Sequence, residues 1–110
     1  MSRDFSPQEV FRLHADGEIQ LIDVRAGHEH DAGHIAETTL IELSEISARA
    51  GEIDRQRPVV FYCRSGARSA MATEAFAQAG YDAHNMTGGM LAWQAAGLPI
   101  TPEGGVVADP

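Results

Sequence analysis

The residue types best suited to chemistry gather in one short segment, Cys63-Arg64-Ser65-Gly66-Ala67-Arg68. It holds the chain's only cysteine and two of its eight arginines, and it directly follows the apolar run Val59-Val60-Phe61-Tyr62. A thiol reacts as its thiolate, and cations, a helix N-terminus or unpaired backbone N–H groups lower its pKa from a free value of about 8.5. The segment therefore predicts a cysteine nucleophile that can handle a small anion.

The elements around this segment predict where it lies in the fold. Val59–Tyr62 reads as a strand buried on both faces, which is typical of a parallel sheet, and Leu21–Val24 reads as another. A helix is expected from about Ser69 to Ala79, so Cys63 lies between a strand and a helix. Open α/β sheets bind their ligands at this carboxyl end of a strand. Gly66 is expected to adopt the positive φ that a tight cradle requires.

The remaining segments alternate in the same way. They predict a three-layer α/β domain over residues 1–100, with a parallel sheet and helices on both faces. Residues 101–110, rich in glycine and proline, are expected to form a flexible tail. The further expected elements are a helix capped by Ser6 and Glu9, a helix over 44–49, a strand over 83–86 and a helix over 89–96.

Composition excludes several classes of protein. The chain has 110 residues, enough for one domain, with 44% hydrophobic and 22% charged residues. One cysteine excludes an intrachain disulfide framework, and the absence of lysine excludes a Walker A loop and Schiff-base chemistry. No apolar run approaches the ~20 residues of a membrane helix, and the polar N-terminus lacks the pattern of a signal peptide. A cytoplasmic location is therefore expected.

Charge narrows the expected partners. The net charge is −8, whereas the segment Cys63–Arg68 carries +2. An acidic domain repels nucleic-acid phosphates and anionic lipids, so neither nucleic acid nor a membrane is expected as a partner. A positive loop on an acidic protein instead suits a small oxyanion.

Three separate motifs resemble those of the rhodanese-like (thiosulfate sulfurtransferase-like) family. The segment Cys63–Arg68 looks like that family's active-site loop. The length suggests the single-domain form, and the resemblance implies a sheet of about five strands. The other two motifs are the early one, Leu21–Arg25 with Glu29 and Gly33–Ile35, and the closing one, Gly88-Gly89 with Trp93 and Gly97–Pro99.

The resemblance implies a reaction. Cys63 would take a sulfane sulfur from thiosulfate or a similar anionic donor, become a persulfide, and pass the sulfur to cyanide, a dithiol or a protein thiol. Thioredoxin and glutathione are expected acceptors, and no cofactor is implied. The expected substrate-binding residues are Arg64, Ser65, Gly66, Ala67, Arg68 and Ser69, with the two arginines holding the donor.

Substitution of Arg68 by alanine is expected to weaken donor binding more than it destabilises the fold, because an exposed cation contributes little stability. Asp23 is expected to pair with a nearby arginine, and Arg25 with Glu29 four residues on. The sequence departs from the family at Ala36-Glu37-Thr38 and at Glu42, where a Gly-Ala pair and a proline are common. This departure affects a local turn rather than the chemistry.

Other functions stay open on the sequence alone. A non-catalytic module that carries or senses sulfur would share the Cys63 persulfide. Cysteine-dependent phosphatases and arsenate reductases place an arginine six residues after the cysteine, where this chain has Ser69. His28, His30 and His34 beside Asp31 superficially resemble a zinc motif, but the Asp offset is wrong, so at most adventitious metal binding is expected.

Overall fold

A computed structural model describes residues 4–110 of the chain. Residues 1–3, which begin the polar N-terminus considered above, lie outside the described residues. Within the described part, no helix is both long and apolar enough to cross a membrane. The elements in chain order are α1 (Pro7–Ala15), β1 (Gln20–Asp23), α2 (Gly27–Ala32), β2 (Thr39–Leu40), β3 (Val59–Tyr62), α3 (Ala67–Gln78), β4 (Ala83–Asn85) and α4 (Gly89–Ala95).

The sheet of residues 4–110 contains four strands, all parallel, in the order β2-β1-β3-β4. The predicted α/β architecture with a parallel sheet is confirmed, with four strands where about five were expected. A single parallel bridge from Phe5 to Met86 continues the sheet beyond β4, but one residue pair does not make a strand. Strands β1 and β3 lie at the centre, where each has a neighbour on both sides.

The sequence of strand β3 is apolar at every position because the strand is buried on both faces. All four of its residues are buried, because each face of the sheet packs against its own hydrophobic core. Val59 and Phe61 join the core beneath α3, whereas Val60 and Tyr62 join the core formed with α1 and α4. Helices therefore cover both faces, as predicted.

Local signals fix most helix ends. The capping box of α1 is confirmed, since the Ser6 hydroxyl accepts from the Glu9 N–H at 3.1 Å and Glu9 accepts from the Ser6 N–H at 3.0 Å.

The helix expected over 44–49 is wrong: the structure has 3-10 turns at Leu43–Glu45 and Ala50–Glu52. Only Ile46 within 44–49 is buried, and one apolar anchor is too little to stabilise an amphipathic helix.

The order of strands positions the site. From β1 the chain moves outward to β2, then returns past β1 to form β3 and β4 on the other side. The order therefore reverses between β1 and β3, and the carboxyl ends of these neighbours bring Asp23 close to Cys63. Such a switch point is where open parallel sheets form ligand sites.

The turn that departs from the family pattern has an unusual backbone. Glu37 has a φ of 62°, in the left-handed region that glycine adopts easily and other residues adopt rarely. The nearby Thr38 hydroxyl donates to the Ile35 carbonyl at 2.9 Å, which ties the turn together. The sequence departure thus falls on a turn in which a residue other than glycine has a left-handed backbone.

Residues 101–110 lie against the domain. Thr101 forms an antiparallel bridge with His34, and the Val106 N–H donates to the Ala32 carbonyl at 2.9 Å. Gly33 allows the approach, because a Cβ there would lie only 2.9 Å from the Val106 nitrogen. The boundary at residue 100 and the flexibility of the segment stay predictions.

Candidate active site

Cys63 lies directly after β3, and its sulfur is surrounded by donors. The backbone N–H of Gly66 points at Sγ from 3.1 Å, that of Ser69 from 3.4 Å, and the Ser69 hydroxyl donates from 3.3 Å. Gly66 makes this geometry possible with a φ of 105°, which confirms its predicted conformation. The loop therefore forms a cradle that stabilises negative charge on sulfur.

Two opposing effects act on this thiol. Burial by itself raises the pKa of Cys63, because it disfavours the charged form. Hydrogen bonds from the Ser69 hydroxyl and from the backbone N–H groups of Ser69, Gly66 and Ser65 outweigh burial and hold the pKa below its ordinary value. These hydrogen bonds therefore stabilise the thiolate, which is the reactive form of a cysteine.

We expect the substitution Ser69→Ala to raise the pKa of the Cys63 thiol, because it removes a hydroxyl donor to the thiolate. A titration of thiolate ultraviolet absorbance against pH measures the midpoint directly. Ser44→Ala removes an exposed hydroxyl on another segment and serves as the matched control. An unchanged midpoint in Ser69→Ala would contradict the role given to this hydroxyl.

A second part of the chain holds the loop from behind. The Met90 N–H donates to the Cys63 carbonyl at 2.8 Å, and the Leu91 N–H donates to the Arg64 carbonyl at 3.0 Å. The first turn of α4 thus binds carbonyl oxygens of the loop, whereas N–H groups of the loop face the sulfur. Gly89, with a φ of 57°, allows this contact, since a Cβ there would clash with the Cys63 carbonyl and lie 2.6 Å from that of Arg64.

The substitution Gly89→Ala should therefore destabilise the domain by about 2 kcal/mol or more, combining an unfavourable φ with a backbone clash. Urea unfolding measures the loss. Gly17→Ala is the matched control, because Gly17 also has a positive φ but a Cβ added there would meet no atom within 4 Å. Equal losses in the two variants would show that the clash with the loop carries no cost.

Arg68 is fixed by a carboxylate of α2. Its two terminal nitrogens donate to the two oxygens of Glu29 at 2.7 and 2.8 Å. The Glu29 side chain is fully buried, whereas that of Arg68 is 30% exposed. Burial raises the pKa of Glu29, but hydrogen bonds from Arg68 and the Ala26 N–H outweigh it and lower that pKa. Arg68 therefore positions the loop against α2 through its terminal nitrogens.

Asp23 pairs with an arginine, as predicted. The terminal nitrogen of Arg25 lies 2.7 Å from the carboxylate of Asp23, and both side chains are fully buried. The predicted pair between Arg25 and Glu29 is wrong, because Glu29 pairs with Arg68 of the loop and Arg25 pairs with Asp23 at the end of β1. Arg25 also donates to the Gly33 carbonyl at 2.8 Å, so this pair ties β1 to the end of α2.

The three histidines of the metal alternative have separate partners. His28 contacts the Asp109 carbonyl at 2.9 Å, His30 contacts Asp23 at 3.0 Å, and His34 contacts the His30 carbonyl at 2.7 Å. Over residues 4–110, no group of three histidine, cysteine or acidic side chains is arranged to hold a metal ion.

Arg64 differs from Arg68 in what it contacts. Its Nη2 lies 3.3 Å from the Asp109 carboxylate, which is 92% exposed, and its buried Nε has no hydrogen-bond partner among residues 4–110. An exposed ion pair of this kind is weak and exchangeable. Arg64 thus lacks a buried carboxylate partner of the kind that holds Arg68.

The predicted site residues follow Cys63 in one continuous loop, although they contribute differently. Ser65, Gly66 and Ser69 supply donors to Cys63, and Ala67 begins α3. Sequence reasoning missed Asn85, whose side-chain amide donates to the Gly66 carbonyl at 3.3 Å. Asn85 ends β4, next to β3 in the sheet, so its position near the carboxyl end of the strand predicted over 83–86 was the available signal.

The fold and the site together define an α/β protein with a cysteine in a loop of hydrogen-bond donors at a sheet switch point. The chain belongs to the rhodanese-like domain family, whose family model matches residues 6–96. The match covers every helix and strand from α1 to α4, together with the loop that holds Cys63.

Similar proteins agree with this assignment. A sulfurtransferase of Allochromatium vinosum is 41% identical over 95 residues, covering 84% of this chain and 89% of that protein. An HTH-type transcriptional regulator of Mycobacterium tuberculosis is 39% identical over 95 residues, but the chain spans only 42% of its length. The structure of a rhodanese-related protein from Thermoplasma volcanium has a TM-score of 0.84 at 26% identity, covering 90% of this chain and 97% of that one.

Proposed function

We propose that this protein is a sulfurtransferase that moves a sulfane sulfur from thiosulfate, or a similar small anionic donor, to a thiophilic acceptor through a persulfide on Cys63. The observation that carries the proposal is the ring of donors around Sγ, formed by backbone N–H groups and the Ser69 hydroxyl. The same ring that stabilises a thiolate can stabilise a persulfide anion.

The proposed first step transfers one neutral sulfur atom. The Cys63 thiolate attacks the outer sulfur of thiosulfate, a new S–S bond forms, and the S–S bond of thiosulfate breaks to release sulfite with the bonding electron pair. In the second step, cyanide attacks the outer sulfur of the persulfide. The S–S bond of the persulfide breaks, the outer sulfur leaves as thiocyanate, and the Cys63 thiolate is regenerated. No proton is moved in either step, which fits a site whose nucleophile is already ionised.

The loop residues have distinct parts in this proposal. The guanidinium of Arg64 holds the charged oxygens of the donor, because its ion pair with Asp109 is exposed and can be exchanged. Arg68 contributes positive charge near the thiolate while its terminal nitrogens stay on Glu29. Ser65, Gly66, Ala67 and Ser69 form the wall of the cradle.

The size of the loop favours sulfur over phosphate. In the phosphatase pattern an arginine stands six residues after the cysteine and binds phosphate oxygens. Here that position is Ser69, whose hydroxyl is buried and already donates to Sγ. A phosphate therefore lacks the guanidinium that the phosphatase pattern provides at that place.

The second candidate function is a sulfur carrier that forms the same persulfide but discharges only to a specific protein. If the protein is a sulfurtransferase, the proposed acceptors are thioredoxin, glutathione and dithiols. If it is a sulfur carrier, the proposed acceptor is the thiol of a specific protein. The two functions share their first step and differ in whether the persulfide turns over with small acceptors.

The experiment is an intact-mass measurement on the reduced protein after thiosulfate, and again after cyanide. The sulfurtransferase proposal expects a gain of one sulfur atom, its loss with cyanide, and thiocyanate released over many cycles. A gain that cyanide does not discharge would support the carrier instead. No gain in mass would overturn the use of thiosulfate, and arsenate and aryl phosphate would then be tested as substrates.

A further inference from the structure

Residues 101–110 run along the domain and reach Arg64 of the active-site loop. They are joined to the domain at the Thr101–His34 bridge and at the hydrogen bond from Val106 to Ala32. The side chain of Val107 packs against the core formed with α1 and α4. These contacts guide the chain along α2 towards the active-site loop.

Asp109 contacts both α2 and the active-site loop. Its carbonyl accepts from His28 at the start of α2, with 2.9 Å between the atoms, and its carboxylate lies 3.3 Å from Nη2 of Arg64. A carboxylate is a small oxyanion, and the proposed donors also carry negatively charged oxygens. The segment thus presents an internal anion to the guanidinium that the donor would use.

We propose that Asp109 competes with anionic donors for Arg64, so that residues 101–110 act as a strap that sets the site's selectivity for charged substrates. This inference rests on the proposed function for the identity of the donor, but its geometry concerns any small anion that approaches Cys63. Arg64 pairs with the strap when the site is empty and with the donor when the site is loaded. Because the ion pair is exposed, a donor can displace the Asp109 carboxylate with only a small loss of free energy.

The test compares Asp109→Asn with Glu103→Gln, which removes the same charge from an exposed position elsewhere in the segment. Each variant is alkylated at Cys63 with iodoacetate, an anion, and with iodoacetamide, its neutral counterpart. We expect the ratio of the iodoacetate rate to the iodoacetamide rate to rise about two- to fivefold at low salt in Asp109→Asn, in line with the strength of exposed ion pairs. The ratio should stay at the wild-type value in Glu103→Gln, and high salt should remove the difference.

An Arg64→Ala background completes the cycle, because the effect of Asp109→Asn should vanish when its partner is absent. Equal ratios in Asp109→Asn and Glu103→Gln would overturn the proposal, as would a full effect in the Arg64→Ala background. Thiosulfate loading is measured on the same proteins, with a lower KM expected in Asp109→Asn. If thiosulfate loads no variant, the proposed donor fails, while the alkylation ratios still decide the role of the strap.

Discussion

Substitution of Cys63 by serine is expected to abolish sulfur transfer while leaving the fold intact. Serine is close in size to cysteine, and its hydroxyl can accept from the same Gly66 and Ser69 N–H groups. An alcohol is not ionised at neutral pH, however, and it is a poor nucleophile towards sulfur. We expect the rate of thiocyanate formation to fall by at least about a thousandfold, as is usual when a nucleophile is removed.

The chain offers a clean control for this prediction. Cys63 is the only cysteine, so no other thiol can take up the sulfur and hide the loss. Thermal unfolding should give nearly the same melting temperature for Cys63→Ser and the wild type, which separates lost chemistry from lost structure. Mass gain in Cys63→Ser after thiosulfate treatment would refute a persulfide at this position.

The second large effect is expected at Arg68, and it concerns stability. Glu29 is fully buried, and each of its carboxylate oxygens accepts a hydrogen bond from Arg68. Arg68→Ala would leave this carboxylate buried without its cation, a loss of about 2–4 kcal/mol once the partial exposure of Arg68 is allowed for. This pairing reverses the sequence-based expectation that Arg68→Ala mainly weakens donor binding.

A double-mutant cycle checks the Arg68 prediction. The partner variant Glu29→Gln removes the charge but keeps the shape, so Arg68→Ala combined with Glu29→Gln should be more stable than Arg68→Ala alone. Urea unfolding of the four proteins gives the coupling energy. Purely additive effects would show that the pair contributes no coupling and that Arg68 stabilises the fold in another way.

The pH dependence of this pair has a definite sign. Because the pKa of Glu29 is lower in the folded than in the unfolded protein, the pair stabilises the fold above the unfolded pKa of about 4.3. This stabilisation is lost as the pH falls through the folded pKa, where the carboxylate becomes protonated. The stability difference between the wild type and Arg68→Ala should therefore shrink in acid.

The nucleophile and its loop could be predicted because their signals are local. An apolar strand, a cysteine, a glycine that tolerates positive φ and the start of a helix follow one another without interruption in residues 59–69. The structure confirms the strand at Val59–Tyr62, the conformation of Gly66 and the parallel α/β architecture. The strand and the glycine depend on neighbours within about one turn or one strand of the chain.

The contacts that were missed or misassigned join residues far apart in sequence. Glu29 pairs with Arg68 across 39 positions, rather than with Arg25 four residues away, because the order of strands brings α2 beside the loop. Asn85 reaches Gly66 across 19 positions for the same reason. Helical spacing predicts partners only along one helix, so it could not find pairs that the sheet topology creates.

The first turn of α4 has a consequence for how the protein gains reactivity. Met90 and Leu91 bind the carbonyl groups of Cys63 and Arg64, which lie more than 25 positions earlier in the chain. A chain still lacking these residues, as during synthesis on the ribosome, would have the cysteine without its finished cradle. The loop around Cys63 is therefore complete only once the first turn of α4 has docked on its carbonyl groups.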